Sequence, residues 1–146
     1  MLPLIKTPRH VPEAQRLRGL IDTSVVIDLD SLEPGQLPAE LAISAVTLAE
    51  LACGPHATED RDERARRQDR LQLVEATFDP LPLGSACARA YGRVYAKILA
   101  AGRKPRGARA IDLLIAATAL ANDLPLYTRN PADFQGLDSL VDLVSV

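Results

Sequence analysis

Asp22, Glu50, Asp112 and Asp133 each stand inside or beside an apolar run. Asp22 follows Gly19-Leu20-Ile21 and opens Asp22-Thr23-Ser24-Val25-Val26-Ile27. Glu50 interrupts Ile43-Ser44-Ala45-Val46-Thr47-Leu48-Ala49-Glu50-Leu51-Ala52. Asp112 lies in Ala110-Ile111-Asp112-Leu113-Leu114-Ile115-Ala116-Ala117, and Asp133 in Thr128-Arg129-Asn130-Pro131-Ala132-Asp133-Phe134. A carboxylate that faces a core is costly unless it is paired, hydrogen-bonded or metal-bound. One such residue is explained by a helix cap; four spread along the chain point to one shared cation site. Converging carboxylates repel, and some take up protons unless a cation neutralises them. A hard divalent ion with oxygen ligands answers that need, and Mg²⁺ or Mn²⁺ fits best. Such an ion activates a water and neutralises charge on a phosphate under attack. No Ser, Cys or Lys with a partnering base stands out. The expected chemistry is therefore hydrolysis of a phosphodiester by metal-activated water.

Each acid also has a plainer reading. Asp22 can cap a following helix, Glu50 can sit on a solvated helix face, and Asp112 can be a first-turn charge that complements the helix dipole. Asn130, Pro131 and Asp133 have the look of an N-cap, N1 and N3 set, close to a capping box. Ser24, Thr128 and Asn130 either support the acids and their waters or serve turns.

The elements that must position these residues are short. Leu17 to Ile21 reads as a first strand, and Thr23 to Leu29 as a helix start or turn. Pro34, Gly35 and Pro38 punctuate a loop over Ser31 to Pro38. Leu41 to Ser44 reads as a second strand, with Ser44 capping a helix to about Cys53 that Gly54-Pro55 stops. Asp60 to Ala76 predicts a polar helix with an apolar stripe of Leu71, Leu73 and Val74. Phe78 to Leu81 is expected as a third strand. A helix over Gly84 to Ala101 presents Ala86, Ala90, Val94 and Ile98. Ala108 to Asn122 is nearly all apolar after its start, so that helix is buried on most sides. Leu124 to Thr128 and Leu140 to Val144 are the last strands. Short strands alternating with longer helices imply a parallel α/β sandwich with right-handed crossovers. In such sheets, sites form beyond the carboxyl ends of the strands.

The 146 residues make one domain by length. Residues 1–18 carry Pro3, Pro8 and Pro12 and read as an irregular arm, with the domain over 19–146. They contain no apolar core of a signal peptide, and no run in the chain is long enough to span a bilayer, so a cytoplasmic protein is expected. Cys53 and Cys87 lack metal-ligand spacing and are expected as reduced, partly buried thiols. Two isolated histidines exclude a His-based triad or zinc centre on spacing grounds. Aromatics are only 3% of the chain, too few for a base-stacking single-strand binder. A net charge of −2 is unlike a globally basic nucleic-acid protein. Arg61, Arg64, Arg66, Arg67 and Arg70 interleave with acids and read as a solvated helix face. Arg103, Lys104 and Arg106 have fewer acidic neighbours and, with Arg129, are candidates for RNA phosphate contacts.

Taken together, Ile21-Asp22-Thr23-Ser24-Val25-Val26-Ile27, Ser44-Ala45-Val46-Thr47-Leu48-Ala49-Glu50-Leu51 with Gly54, Asp112-Leu113-Leu114-Ile115-Ala116-Ala117-Thr118-Ala119 and Leu126-Tyr127-Thr128-Arg129-Asn130-Pro131-Ala132-Asp133-Phe134 resemble the PIN-domain ribonucleases of the VapC toxin type. The resemblance implies a three-layer α/β/α sandwich with a short, mainly parallel central sheet. It implies a Mg²⁺- or Mn²⁺-dependent endoribonuclease, held inactive by a cognate VapB-type antitoxin, and a homodimer or larger toxin–antitoxin assembly. By this match Asp22, Glu50 and Asp112 form the acidic core and Asp133 takes the fourth acidic position, all serving as catalytic and metal-binding residues. Many relatives carry a further Asp where this chain has Asn130, which orients a water or substrate without adding charge.

Two other classes fit the residues less well. An aspartyl phosphotransferase would use Asp22 covalently, but position 24 is Ser, not the second Asp that chemistry pairs with it. A catalytically silent binding module would keep the fold and use its arginines for RNA or protein. Such a module has no physical need of four half-buried acids.

Overall fold

The computed structural model describes residues 17–146. The expected N-terminal arm falls, up to Arg16, outside those residues. Four short strands form one sheet: β1 (Arg18–Ile21), β2 (Glu40–Ala42), β3 (Leu126–Thr128) and β4 (Leu143–Ser145). Their order is β2-β1-β3-β4, with every pairing parallel. Among the described residues five α-helices accompany them: α1 (Thr23–Ile27), α2 (Ala45–Cys53), α3 (Arg61–Thr77), α4 (Ser85–Ala100) and α5 (Ala108–Ala121).

Strand alternation sorts the core into two halves. Leu20, Ala42 and Leu126 pack with Ala90, Val94 and Ile98 of α4 and with Leu113, Ala116 and Ala117 of α5. The next residue along each strand, Ile21, Ile43 and Tyr127, packs with Val25 and Val26 of α1, Leu51 of α2 and Val74 of α3. Side chains one residue apart on a strand point to opposite faces, so helices cover both sides and the expected three-layer sandwich is present. The near-continuous apolar reading of the strands follows from this double burial.

Gly19 is where backbone and ring come closest. A Cβ built there would lie 2.5 Å and 2.9 Å from two ring atoms of Tyr127 and 3.0 Å from Pro38. β1 is thus seated against the Tyr127 ring because residue 19 has no side chain.

Several elements differ from expectation, each for a local reason. Phe78 to Leu81 is not a strand. Only Leu81 pairs, in a single bridge to Ser44, accepting from Ala45 N–H at 2.9 Å and donating to the Ile43 carbonyl at 2.9 Å. Pro80 and Pro82 flank it and have no N–H to extend the ladder. The buried stripe of α4 is Cys87, Ala90, Val94 and Ile98, with Ala86 exposed. A strict four-residue repeat drifts around a helix of 3.6 residues per turn, and the 87-to-90 step restores the register. On α3 only Val74 is buried; Leu71 is partly covered and Leu73 is exposed. Cys87 is buried, whereas Cys53, the last residue of α2, is exposed rather than partly covered.

The arginine-rich start of α3 is only partly a solvated face. Arg66 and Arg67 both pair with Glu63, at 2.8 Å each. Arg67 also donates to the Gly54 carbonyl at 2.9 Å, and Arg64 to the carbonyls of Pro55 and Thr58 at 3.1 and 2.8 Å. These bonds fasten the 3-10 turn Gly54–Ala57, which ends the Glu50-bearing helix. No helix among the described residues is long and apolar enough to cross a membrane.

Candidate active site

The sheet order reverses between β1 and β3, since the chain steps from β1 out to β2 and later returns on the opposite side. Loops at such a switch point diverge and leave a crevice at the strands' carboxyl ends. Asp22 immediately follows β1, and Asp133 lies in the 3-10 turn Pro131–Phe134 that follows β3. Glu50 projects from α2 and Asp112 from the second turn of α5.

Asp22 is 5% exposed. Its backbone N–H donates to the Tyr127 carbonyl at 3.0 Å, which stitches it to β3. Its Oδ1 accepts from Ser24 Oγ at 2.6 Å and from Val25 N–H at 3.1 Å. The capping reading holds: Oδ1 of Asp22 caps α1, and Oδ2 makes neither bond. Ser24 Oγ thus donates to Asp22 and also accepts the Arg129 N–H at 3.1 Å. Thr128 serves the turn, its Oγ1 accepting from Asn130 N–H at 2.9 Å. Asn130, Pro131 and Asp133 take the expected N-cap, N1 and N3 positions of the Pro131–Phe134 turn, but Asn130 makes no side-chain capping bond. Asp133 is exposed, and Phe134 beside it is buried and anchors the turn.

Glu50 is partly buried. Its Oε1 accepts from Thr23 Oγ1 at 2.5 Å, and Thr47 Oγ1 lies 3.1 Å from Thr23 Oγ1. Neither threonine stood out in sequence, because a Thr inside an apolar helix pattern is common and gives no signal until its partner is known.

Asp112 shows that the four acids share one field. Burial pushes its carboxyl up from 3.8 to about 6, and the charges of Asp133, Glu50 and Asp22 push in the same direction, with Arg109 opposing them. Asp112 is not the expected first-turn charge, since the first turn of α5 holds no acid, and the helix dipole fades within that turn and gives it little relief. Among the described residues no three carboxylates close on a single ion-sized point in these side-chain positions. Mg²⁺ takes one or two carboxylates directly and keeps several waters, which such a loose ring accommodates. The donor set, all oxygen and all acidic, fits a hard divalent cation.

The four phosphate-contact candidates divide. Lys104 and Arg106 are exposed on the loop between α4 and α5. Arg103 instead donates to the carbonyls of Ala132 and Gln135, at 3.2 and 3.0 Å, tying that loop to the Asp133 turn. Arg129 lies 3.6 Å from Asp28.

The PIN domain family model matches residues 19–139, nearly the whole of this sheet and its helices. The chain belongs to the PIN-domain family, on its VapC ribonuclease branch. It is 37% identical to Ribonuclease VapC5 of Mycobacterium tuberculosis over 123 residues, covering 82% of this chain and 87% of that protein. Ribonuclease VapC of Rickettsia bellii is 33% identical over 129 residues, covering 83% of this chain and 91% of that one. The crystal structure of VapBC-5 from Mycobacterium tuberculosis, a member of the VapBC family of toxin–antitoxin systems, superposes with a TM-score of 0.77 at 35% identity, over 88% of this chain and 98% of that one. PIN-domain VapC ribonucleases depend in general on a divalent metal ion.

Proposed function

We propose that this chain is a toxin that cuts RNA internally by hydrolysis, with Asp22, Glu50, Asp112 and Asp133 holding Mg²⁺ or Mn²⁺. The observation that carries the reading is the raised Asp112 carboxyl, because a carboxyl crowded by three others is a site prepared for a cation. The bound ion would supply an activated water and charge neutralisation at the phosphate. Asp22, fixed by Ser24 and the α1 backbone, presents one oxygen in a constant direction. Asn130 and the Asp133 turn border the crevice on the β3 side. The RNA is recognised through backbone and shape more than by base stacking, given the scarcity of aromatics. A cognate VapB-type antitoxin in the same cytoplasmic compartment would silence the site, and a basic side chain placed among the acids would do so efficiently. A homodimer is the expected resting assembly, within a larger complex when the antitoxin is bound.

The deciding experiment is cleavage of a mixed RNA pool by protein freed of antitoxin, with Mg²⁺, with Mn²⁺ and with chelator, beside Asp22→Asn. Metal-dependent cleavage lost in the mutant supports the reading. A folded protein that binds no metal by calorimetry would favour the silent binding module.

Metal binding must carry a pH signature. Asp112 ionises near 6, and a carboxylate ligates only when deprotonated. Mg²⁺ affinity should therefore be near its plateau at pH 7 and about tenfold weaker at pH 5. An affinity that is flat over that range would detach Asp112 from the ion.

Phosphate contact carries a salt signature. Replacing Lys104 or Arg106 by Ala should lower the slope of log affinity for single-stranded RNA against log salt by about 0.7. Arg103→Ala should act mainly by loosening the Asp133 turn. Unchanged slopes for Lys104 and Arg106 would place the RNA elsewhere.

A further inference from the structure

Thr23 Oγ1 lies between two groups, Glu50 Oε1 at 2.5 Å and Thr47 Oγ1 at 3.1 Å. A hydroxyl has one proton to give, and an ionised carboxylate can only accept. The direction is therefore fixed: Thr23 donates to Glu50, and Thr47, which is fully buried, donates to Thr23. Glu50 reaches across from α2 to the start of α1, and this bond is the one that defines its end of the reach. The alternative lies close by. Thr23 and Glu50 line one cavity of about 370 Å³ together with Ile27, Leu51, Glu63, Arg67 and Arg70. Arg67 is committed to Glu63 and to the Gly54 carbonyl, but Arg70 forms no ion pair with any described residue. A long Glu side chain released from Thr23 would gain by swinging toward that guanidinium.

We propose that Thr23, oriented by Thr47, is a positioning residue that holds the Glu50 carboxylate in the acidic ring and out of an ion pair with Arg70. The proposal rests on the metal-centre reading above, and groups that orient a ligand govern metal affinity almost as strongly as the ligands do.

The test is titration of Mn²⁺ into the full-length protein, freed of antitoxin, followed by calorimetry. Thr23→Val should weaken Mn²⁺ binding about tenfold, while Thr23→Ser, which keeps the hydroxyl, should stay within about twofold of the parent. Adding Arg70→Gln to Thr23→Val should recover most of the loss, because the competing cation is gone, and Arg70→Gln alone should leave affinity as it was. A folded Thr23→Val protein that binds Mn²⁺ like the parent overturns the proposal, as does a Thr23→Ser protein that binds as weakly as Thr23→Val. No recovery in the double mutant overturns the competition with Arg70. Should Thr23→Val not fold, Thr47→Val takes its place, with a weaker loss of about threefold expected and unchanged affinity counting against the relay. Asp112→Asn serves as the control: if it binds Mn²⁺ like the parent, the metal-centre reading itself fails, whatever the Thr23 variants do.

Discussion

Asp112→Asn is expected to abolish RNA cleavage and, at the same time, to make the metal-free protein more stable. The loss of activity should exceed about a thousandfold, since the site would forfeit several kcal/mol of metal-borne transition-state stabilisation. The gain in stability comes from the raised carboxyl. Its folded value of about 6 lies above the unfolded 3.8, so between those values the folded chain binds more protons than the unfolded one. Stability from this group is fully present below about pH 4 and is lost as pH rises through 6. The gap sets a ceiling of about 3 kcal/mol, and solvent screening at a half-buried group lowers it to about 1–2 kcal/mol. Asn does not titrate, so its advantage should appear above pH 6 in chelator and fade toward pH 4. Urea titrations at pH 4, 5.5 and 7.5 would show it. A mutant no more stable than the parent at pH 7.5 would mean that the acids do not strain one another. With saturating metal the order should narrow or invert, because the ion stabilises only the parent's intact site.

Gly19→Ala should be the most damaging single-atom change in the sheet. The new methyl would stand 2.5 Å from the Tyr127 ring, well inside the distance that non-bonded Cβ contacts keep. That ring is fully buried between β1 and the helices of its face, so it has no exposed direction in which to yield. Overpacking of this kind costs about 1–3 kcal/mol. The strain falls on β1, whose end sets Asp22, so metal affinity should drop as well. Urea unfolding of Gly19→Ala beside Gly35→Ala, where an added Cβ meets nothing within 4 Å, separates packing from a general glycine effect. Equal midpoints would show that the ring can move.

Both predictions depend on residues that were legible to different degrees. The acids were legible because a carboxylate in an apolar run is anomalous in any fold. So were the parallel sheet and the double burial of α5, whose run from Leu113 to Ala119 leaves no polar face. Phe78 to Leu81 misled, because apolar content outweighed two prolines whose missing donors decide the matter. Ala86 misled through a four-residue repeat that a helix does not keep. The threonine relay could not be seen at all: Thr23 and Thr47 are 24 positions apart, and only the crossing of α1 and α2 brings them together. Arg103 illustrates the same limit, since its backbone partners are 29 and 32 positions away.

The strand order β2-β1-β3-β4 also sets when the enzyme can exist. A chain emerging N-terminus first offers Asp22 and Glu50 early, but β1 has no neighbour on its other side until residues 126–128 arrive. The carbonyl that fixes the Asp22 backbone belongs to Tyr127, and β3 in turn is closed by β4 at residues 143–145. Until β3 docks, the protein therefore has an open half-sheet in place of a crevice.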